Sequence, residues 1–463
     1  MSKLVKVFCV SLLVFALSAV AFAQSTTTGS IGGVVSNPAK EVVPGASISA
    51  KNVGTNKEDT ATTDDTGRFK IPNLQPGLYT VTVNSGGFSP STIENVTVEI
   101  GRETNLEVVL SVGPVTGTVD VSAEAPVINT TQQDFSTNLN QTSINELPVN
   151  GRRWSNFAIL TPAATPDGNF GLISFRGISG LLNNSTVDGG DNNQGFFSEE
   201  RGRTRSAYSI SQASIREFQV NTSNFAAEYG RSAGGVINAI TKSGSNEFHG
   251  SAFLYMRNNK WGARNPNTFI NQLVNGVSTR VAFKPQDERY QFGGTIGGPI
   301  VRDKAFFFFS YDEQKRDFPG VAVFSTPGYL NTVNRTTLLA RGLTTQQIDS
   351  SLAFLNDLTG EVPRRGDQRL FLPKLDWHLN DSNQFTATYN RLRWKSPAGV
   401  QTGATVTRDR TGFGDDFVET DSLNLRLAST LSPQLINEFR FQWADELNAQ
   451  FAQQPLPGLP TTS

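Results

Sequence analysis

Along the C-terminal half of the chain, apolar and polar residues alternate with a period of two. In residues 435–445, Phe439, Phe441 and Trp443 fall on one face and Glu438, Arg440 and Gln442 on the other. Residues 422–427 set Leu423, Leu425 and Leu427 against Ser422, Asn424 and Arg426. Residues 371–379 set Phe371, Leu375, Trp377 and Leu379 against Lys374, Asp376 and His378, and 290–296 set Tyr290, Phe292 and Ile296 against Gln291 and Thr295. Successive side chains of a strand point to opposite faces, so each segment predicts a strand with one apolar and one charged face. A soluble barrel and a membrane barrel share this period, so alternation alone does not choose between them.

The connections choose. Roughly seven strands are predicted after Asn246: 247–258, 288–299, 304–314, 368–379, 383–395, 417–431 and 435–448. The links 301–303, 380–382 and 432–434 are tight, whereas 259–287, 315–367 and 396–416 are long. Strict short and long alternation is the pattern of outer-membrane barrels, with short turns periplasmic and long loops outside. Within the longest loop, residues 345–358 carry Ile348, Leu352 and Leu355 at helical spacing before Gly360, which predicts a capped helix. The run from Phe306 to Phe309 does not alternate. It fits a girdle at the membrane edge or a strand covered from inside, and both readings stay open.

The front of the chain has a different texture. Lys3 and Lys6, an apolar run over 7–20 and the small-x-small site at Ala21-Phe22-Ala23 predict a secretory signal peptide over 1–23, with a short linker over 24–29. The single cysteine, Cys9, lies in that leader, so disulfides and cysteine metal sites are excluded downstream. From residue 30 to 112, short strands punctuated by Gly, Pro and Asp predict a β-sandwich. Asp64 and Asp65 in that region read as turn residues in preference to metal ligands. Residues 113–129 read as an extended linker, with Pro114, Gly117 and Pro126. With a net charge of -1 the chain has no basic field for nucleic acid.

Phe225 to Gly250, FAAEYGRSAGGVINAITKSGSNEFHG, marks the change to long two-faced strands. Its Gly234-Gly235 pair predicts a close backbone approach, followed by a buried strand and a turn. This stretch closely resembles the end of the plug and the first barrel strand of TonB-dependent outer-membrane receptors of the Oar-like group. Residues 30–112, with GSIGGVV, PGA, TDDTGRF and LQPGLY, resemble the carboxypeptidase-regulatory-like (transthyretin-like) domain. Further matches are INELPVNGR at 144–152, Phe175-Arg176-Gly177 with Val187-Asp188-Gly189-Gly190, and IREFQV at 215–220.

The resemblance implies a mainly β chain: a sandwich, an α+β plug over 130–243, and the first part of an antiparallel transmembrane barrel over 244–463. It implies outer-membrane lipid around the barrel, a periplasmic N-terminal domain, an unidentified extracellular ligand and the inner-membrane TonB complex as partner. Val119, Asp120, Val121, Ser122 and Ala123 match the position of a TonB box. The residues themselves fit that strand-adding segment or the last strand of the sandwich about equally. Asn183, Asn184, Asp188, Asp191 and Asn192 are expected in a plug loop facing the ligand, as a solvated loop before a calcium site. Arg176, Arg216, Glu228 and Arg231 are expected to pair with the barrel wall, because buried charges need partners.

The family's barrel has about 22 strands, and seven leave an open edge in lipid. The chain ends on PLPGLPTTS without a terminal aromatic, so a truncated member is expected. No catalytic residue, metal or cofactor is expected: His249 and His378 lie on separate strands, and no helix follows the Gly293–298 run to make a phosphate loop. The reading is a TonB-dependent receptor or transporter. The alternative is a surface-exposed binding or adhesion protein, or a non-transporting fragment.

Overall fold

The computed structural model describes residues 27–111, 113, 119–122, 135–168, 171–196, 200–201, 208–225, 227–275, 277–399, 405–406, 409–432 and 435–453. The predicted signal peptide and Ala123 lie outside them. The chain is mainly β and forms three parts in sequence order.

The first part is a sandwich. Its strands are β1 (Gly29–Ser36), β2 (Ser47–Asn52), β3 (Glu58–Thr62), β4 (Arg68–Leu74), β5 (Gly77–Asn84), β6 (Ser91–Val98), β7 (Glu103–Val109) and β8 (Val119–Ser122). One sheet has the order β4-β1-β7 and the other β3-β2-β5-β6-β8. Alternate residues such as Ile31, Ile48, Ile71, Val81, Val83 and Val96 fill the space between them. Asp64 is a turn residue, as expected: its Oδ1 accepts from the Thr66 and Arg68 amides at 2.8 and 3.0 Å. These bonds, led by the Thr66 hydroxyl, hold its carboxyl below the usual range.

The middle part contains β9 (Phe135–Leu139), α1 (Gln141–Glu146), β10 (Ala164–Asp167), β11 (Leu172–Phe175), β12 (Asn184–Val187), β13 (Gly190–Asp191), β14 (Ile215–Ser223) and β15 (Val236–Thr241). A five-stranded sheet runs β13-β12-β15-β14-β9. Residues Trp154–Leu160 form a 3-10 turn that buries Trp154 and Phe157. Trp154 stands edge-on to Phe218 at 5.6 Å. The Gly pair does bring backbones close: a Cβ on Gly235 would sit 2.5 Å from the Phe175 ring.

The third part is a wall of seven antiparallel strands. They are β16 (His249–Asn258), β19 (Glu288–Val301), β20 (Ala305–Asp317), β23 (Asp367–Asn380), β24 (Asn383–Ser396), β26 (Asp415–Ser432) and β27 (Leu435–Phe451), paired in that order. The numbers between them belong to the long loops: the hairpin β17 (Phe269–Val274) and β18 (Val277–Ala282), and a small sheet of β21 (Gly320–Ala322), β22 (Gly360–Val362) and β25 (Thr405–Val406). The longest loop also holds α2 (Arg335–Ala340) and α3 (Thr345–Asp357). In α3 the Thr344 side chain and Gln347 form a reciprocal cap, and Ile348 is the buried residue.

All seven predicted strands are present, and the faces fall as the alternation requires. Phe371, Trp377, Leu379, Phe439, Phe441 and Trp443 are exposed on the outer face, whereas Lys374, Asp376 and His378 are buried on the inner one. One feature departs from a polar interior. Toward the long loops the inner face is apolar, and Leu370, Leu372, Leu392, Trp394 and Val418 join one core with Trp154, Phe175 and Phe218 of the middle part. The phenylalanine run points to both faces of its strand. Phe306 and Phe308 are buried inward, while Phe309 turns out against Phe371 at 4.9 Å.

Candidate functional site

The middle part rests on the inner face of the wall, and polar side chains stitch the two together. At the end of β12 the backbone turns through Asp188, with φ 50. That turn points its carboxylate at the wall. Asp188 accepts from the Thr241 amide at 2.9 Å, the Thr241 hydroxyl at 2.6 Å and the Thr388 hydroxyl at 3.1 Å. Lys374 of β23 lies 3.7 Å away, and the pair is 5 and 8% exposed. The ammonium also donates to Thr241 O and Oγ1 at 3.2 and 3.1 Å. Every polar atom of this buried pair is therefore met by a fixed partner, which is the condition for tolerating buried charge.

A second stitch lies nearer the long loops. Asp312 of β20 accepts from the Tyr208 and Ser211 hydroxyls, each at 2.6 Å. Burial first, then the Asp312 charge, raises the Tyr208 phenol well above its usual range, so it stays a donor. Gln368 and Asn390 of the wall donate to the Tyr208 and Ser209 carbonyls at 2.7 and 3.0 Å. On the β27 side, Gln442 exchanges two hydrogen bonds with the Asp191 backbone at 3.0 and 2.9 Å.

The sandwich docks across the end of the wall that carries the short turns. Asn56 donates to Asp303 in the β19–β20 turn at 3.0 Å, and the Asn246 amide donates to Gly54 O at 2.8 Å. Arg426 donates to Asn73 at 3.0 Å. Against the middle part, the Ile100 amide donates to both Glu217 oxygens at 3.1 and 3.2 Å, and Asn138 donates to Glu217 at 3.0 Å. Burial first, then the charge of Glu99, pushes the Glu217 carboxyl up to about 8.

The expected site residues distribute as follows. Val119–Ser122 form β8, which pairs in parallel with β6 at the edge of the sandwich sheet. Asn183 and Asn184 lie at the end of β12 away from the sandwich, where Asn183 bonds Ile173 O and the Gly235 amide. Asp188 lies at the opposite end and faces the wall, and Asn192 is buried against Ser185. Arg176 donates to Gly234 O at 3.2 Å and Arg231 to Asp191 at 2.5 Å, both within the middle part. Glu228 is exposed. Arg216 lines a cavity under Gly77.

The four charges expected to pair with the wall thus make no ion pair with it among the described residues. The reason is direction: Arg176 and Arg231 turn back onto the middle part, Glu228 is exposed, and Arg216 points toward the sandwich. Lys374, Asp312 and Tyr208 make the joints instead. Their signal was present, since Lys374 and Asp312 are charges on the strand face opposite the aromatics.

Where the sandwich, the middle part and the wall meet lies a cavity of about 180 Å³. Thr27, Gln75 and Pro76 of the sandwich form its floor, and Asp188 to Asp191 one side.

Comparison with known proteins fits this anatomy. Residues 30–111 match the carboxypeptidase regulatory-like domain, and residues 240–331 match an outer membrane beta barrel domain. Over 299 residues the chain is 30% identical to the TonB-dependent transporter Oar of Myxococcus xanthus. The chain is a homologue of that transporter. The match covers 62% of this chain and 26% of the relative, so the chain spans about a quarter of the relative's length. The barrel-domain match and the homologue place it in the outer membrane. Among solved structures it is similar to the outer membrane transporter YddB from Escherichia coli, with a TM-score of 0.47, 14% identity, and coverage of 67% of this chain and 38% of that one. The siderophore receptor PirA from Acinetobacter baumannii gives a TM-score of 0.44 at 14% identity, covering 68% of this chain and 40% of that one.

Proposed function

We propose that the chain works as a TonB-dependent receptor, taking up a solute from outside the cell. In this reading the middle part is the plug and the seven strands are barrel wall. The sandwich faces the periplasm, and β8 with Ala123 is the segment that the TonB complex engages. The observation that carries the reading is the seam. A folded domain is held against the inner face of a wall whose outer face is aromatic, through the buried Asp188–Lys374 pair. The sandwich sheet ends in β8, an edge strand, and an edge strand is the form that accepts a further strand from a partner. Asn183 and Asn184 lie at the end of the plug that would meet an incoming ligand.

Photo-crosslinking residues placed one at a time at Val121 and at exposed positions across the sandwich test the reading with the purified periplasmic domain of TonB. Crosslinks confined to residues 119–123 are expected, and they should disappear when Val121 is moved out of register by a one-residue insertion at 120. Crosslinking spread evenly over the sandwich would defeat the assignment.

A further inference from the structure

At its long-loop end the seam between the middle part and the wall departs from its other joints. Elsewhere opposite or neutral groups meet across it, as Asp188 with Lys374 and Asp312 with Tyr208. Here like charge meets like charge. Side chains two apart on a strand share a face. Gln291 and Gln314 are buried on the inner face, so Arg289 and Arg316, each two residues nearer the long loops, face inward as well. Arg289 is flanked in register by Arg257 of β16 and Arg316 of β20. Three arginines thus form a row across neighbouring strands, with backbones about 5 Å apart. Like charges directly opposite each other are destabilising. Arg152 joins the row from the middle part. Its guanidinium lies 4.5 Å from the ring centres of both Phe253 and Tyr255, which share the inner face of β16 with Arg257. Gly151, with φ 72, leaves the room: a Cβ there would stand 2.7 Å from Arg289 Nη1.

The carboxylates beside this row do not balance it. Asp287 accepts from Arg316 Nε at 2.7 Å and Nη2 at 3.0 Å. Burial opposes its charge, yet the Arg316 fork and then the charges of Arg316, Arg289 and Arg257 hold its carboxyl below the usual range. Asp312, next down the inner face, is taken by Tyr208, Ser211 and Gln291. Four guanidiniums therefore stand against two carboxylates. Those of Arg152 and Arg289 make no ion pair or hydrogen bond among the described residues. Both residues are half-buried; in each the Nε is closed off, and the Nη atoms keep open surface. We propose that Arg152 and Arg289 form a binding site for a solute carrying a multiply charged oxyanion, phosphate or polycarboxylate, which bridges the middle part to the wall. Guanidinium forks match both oxyanions, and an anion with two or more charges balances the excess where a monovalent one does not. The inference deepens the receptor reading by naming a solute class, and it rests on that reading only for the side from which the solute arrives, that of the long loops.

Thermal unfolding of the full chain in detergent tests it, with inorganic pyrophosphate, citrate and acetate added at about 0.15 M sodium chloride, where the screening length is about 8 Å. Pyrophosphate or citrate is expected to raise the melting temperature, the stronger of the two telling phosphate from carboxylate, and acetate to leave it unchanged. Arg152→Gln and Arg289→Gln should each weaken the binding at least tenfold. Lys395→Gln, an exposed charge on the outer face, should not. Without ligand, Arg289→Gln should melt no lower than the parent, because it removes a charge that has two like neighbours and no partner. No shift with either polyanion, an equal shift with acetate, or an equal loss in Lys395→Gln overturns the proposal. So does a ligand-free Arg289→Gln that melts well below the parent, since Arg289 would then already hold a structural partner. The crosslinking to TonB reads the opposite end of the molecule, so failure of this site stays distinct from failure of the receptor reading.

Discussion

Single side chains decide how the domains hold together, and the seam offers two tests at this scale. Asp188 is the member of the buried pair with the most partners, so its loss strands Lys374 in a dry site. Asp188→Ala is expected to cost about 3–5 kcal/mol, measured from the denaturant midpoint of detergent-folded protein. A cost near zero would mean that water reaches Lys374 freely. Glu217 gives a pH test. Its carboxyl is raised to about 8 from a usual 4.5, so the folded state binds the proton more tightly than the unfolded one. The contribution is full below about 4.5 and is lost as pH rises through about 8. Glu217→Gln mimics the protonated form. Its melting temperature should therefore match the parent near pH 4 and exceed it at pH 9, and a constant difference across that range would exclude Glu217 as the titrating group.

At the level of elements, the sequence was most readable where one local rule governed the outcome. Period-two alternation marked the wall strands at 290–296, 371–379, 422–427 and 435–445, because lipid and interior demand opposite chemistries of adjacent residues. The helix at Thr345 was readable because capping is a contact between near neighbours: the Gln347 amide donates to Thr344 Oγ1 at 3.2 Å. Thr344→Ala should cost the helix about 1 kcal/mol. Amide exchange across 345–357 would then rise about fivefold, with the wall strands unaffected. If exchange rose equally in β23, the helix would be bearing on the wall instead of standing apart in its loop. Strand β8 was less readable. Its residues allow a sheet edge or a free linker, and the parallel pairing to β6 depends on a neighbour 28 residues earlier in register, Ser91 with Val119. Arg176, Arg216, Glu228 and Arg231 were misjudged for the same reason. Each is a charge in a segment correctly placed near the wall, but direction is set by turns such as those at Arg176 and Arg231, both with positive φ.

For the whole molecule, the arrangement that no local pattern announces is the sandwich closing the short-turn end of the wall. Its contacts are long-range in sequence: Asn56 with Asp303, Asn73 with Arg426, Gly54 with Asn246, Ile100 with Glu217. Each is a modest hydrogen bond, worth about 0.5–1.5 kcal/mol when neutral and more where one partner is charged. Together they couple a domain with its own core to the plug and the wall. Such coupling predicts that the sandwich and the plug unfold together. Calorimetry of the parent should show one transition, and Asp303→Ala combined with Arg426→Ala should split it, with the sandwich melting separately because its core cluster is untouched. The same double variant also opens the floor at Thr27, Gln75 and Pro76, so a cysteine placed at Thr388 should react with a polar maleimide much faster than in the parent. A split melt with unchanged labelling would mean that the domains separate thermally while the floor stays shut, and the sandwich would then have to be dropped as the cover of the cavity.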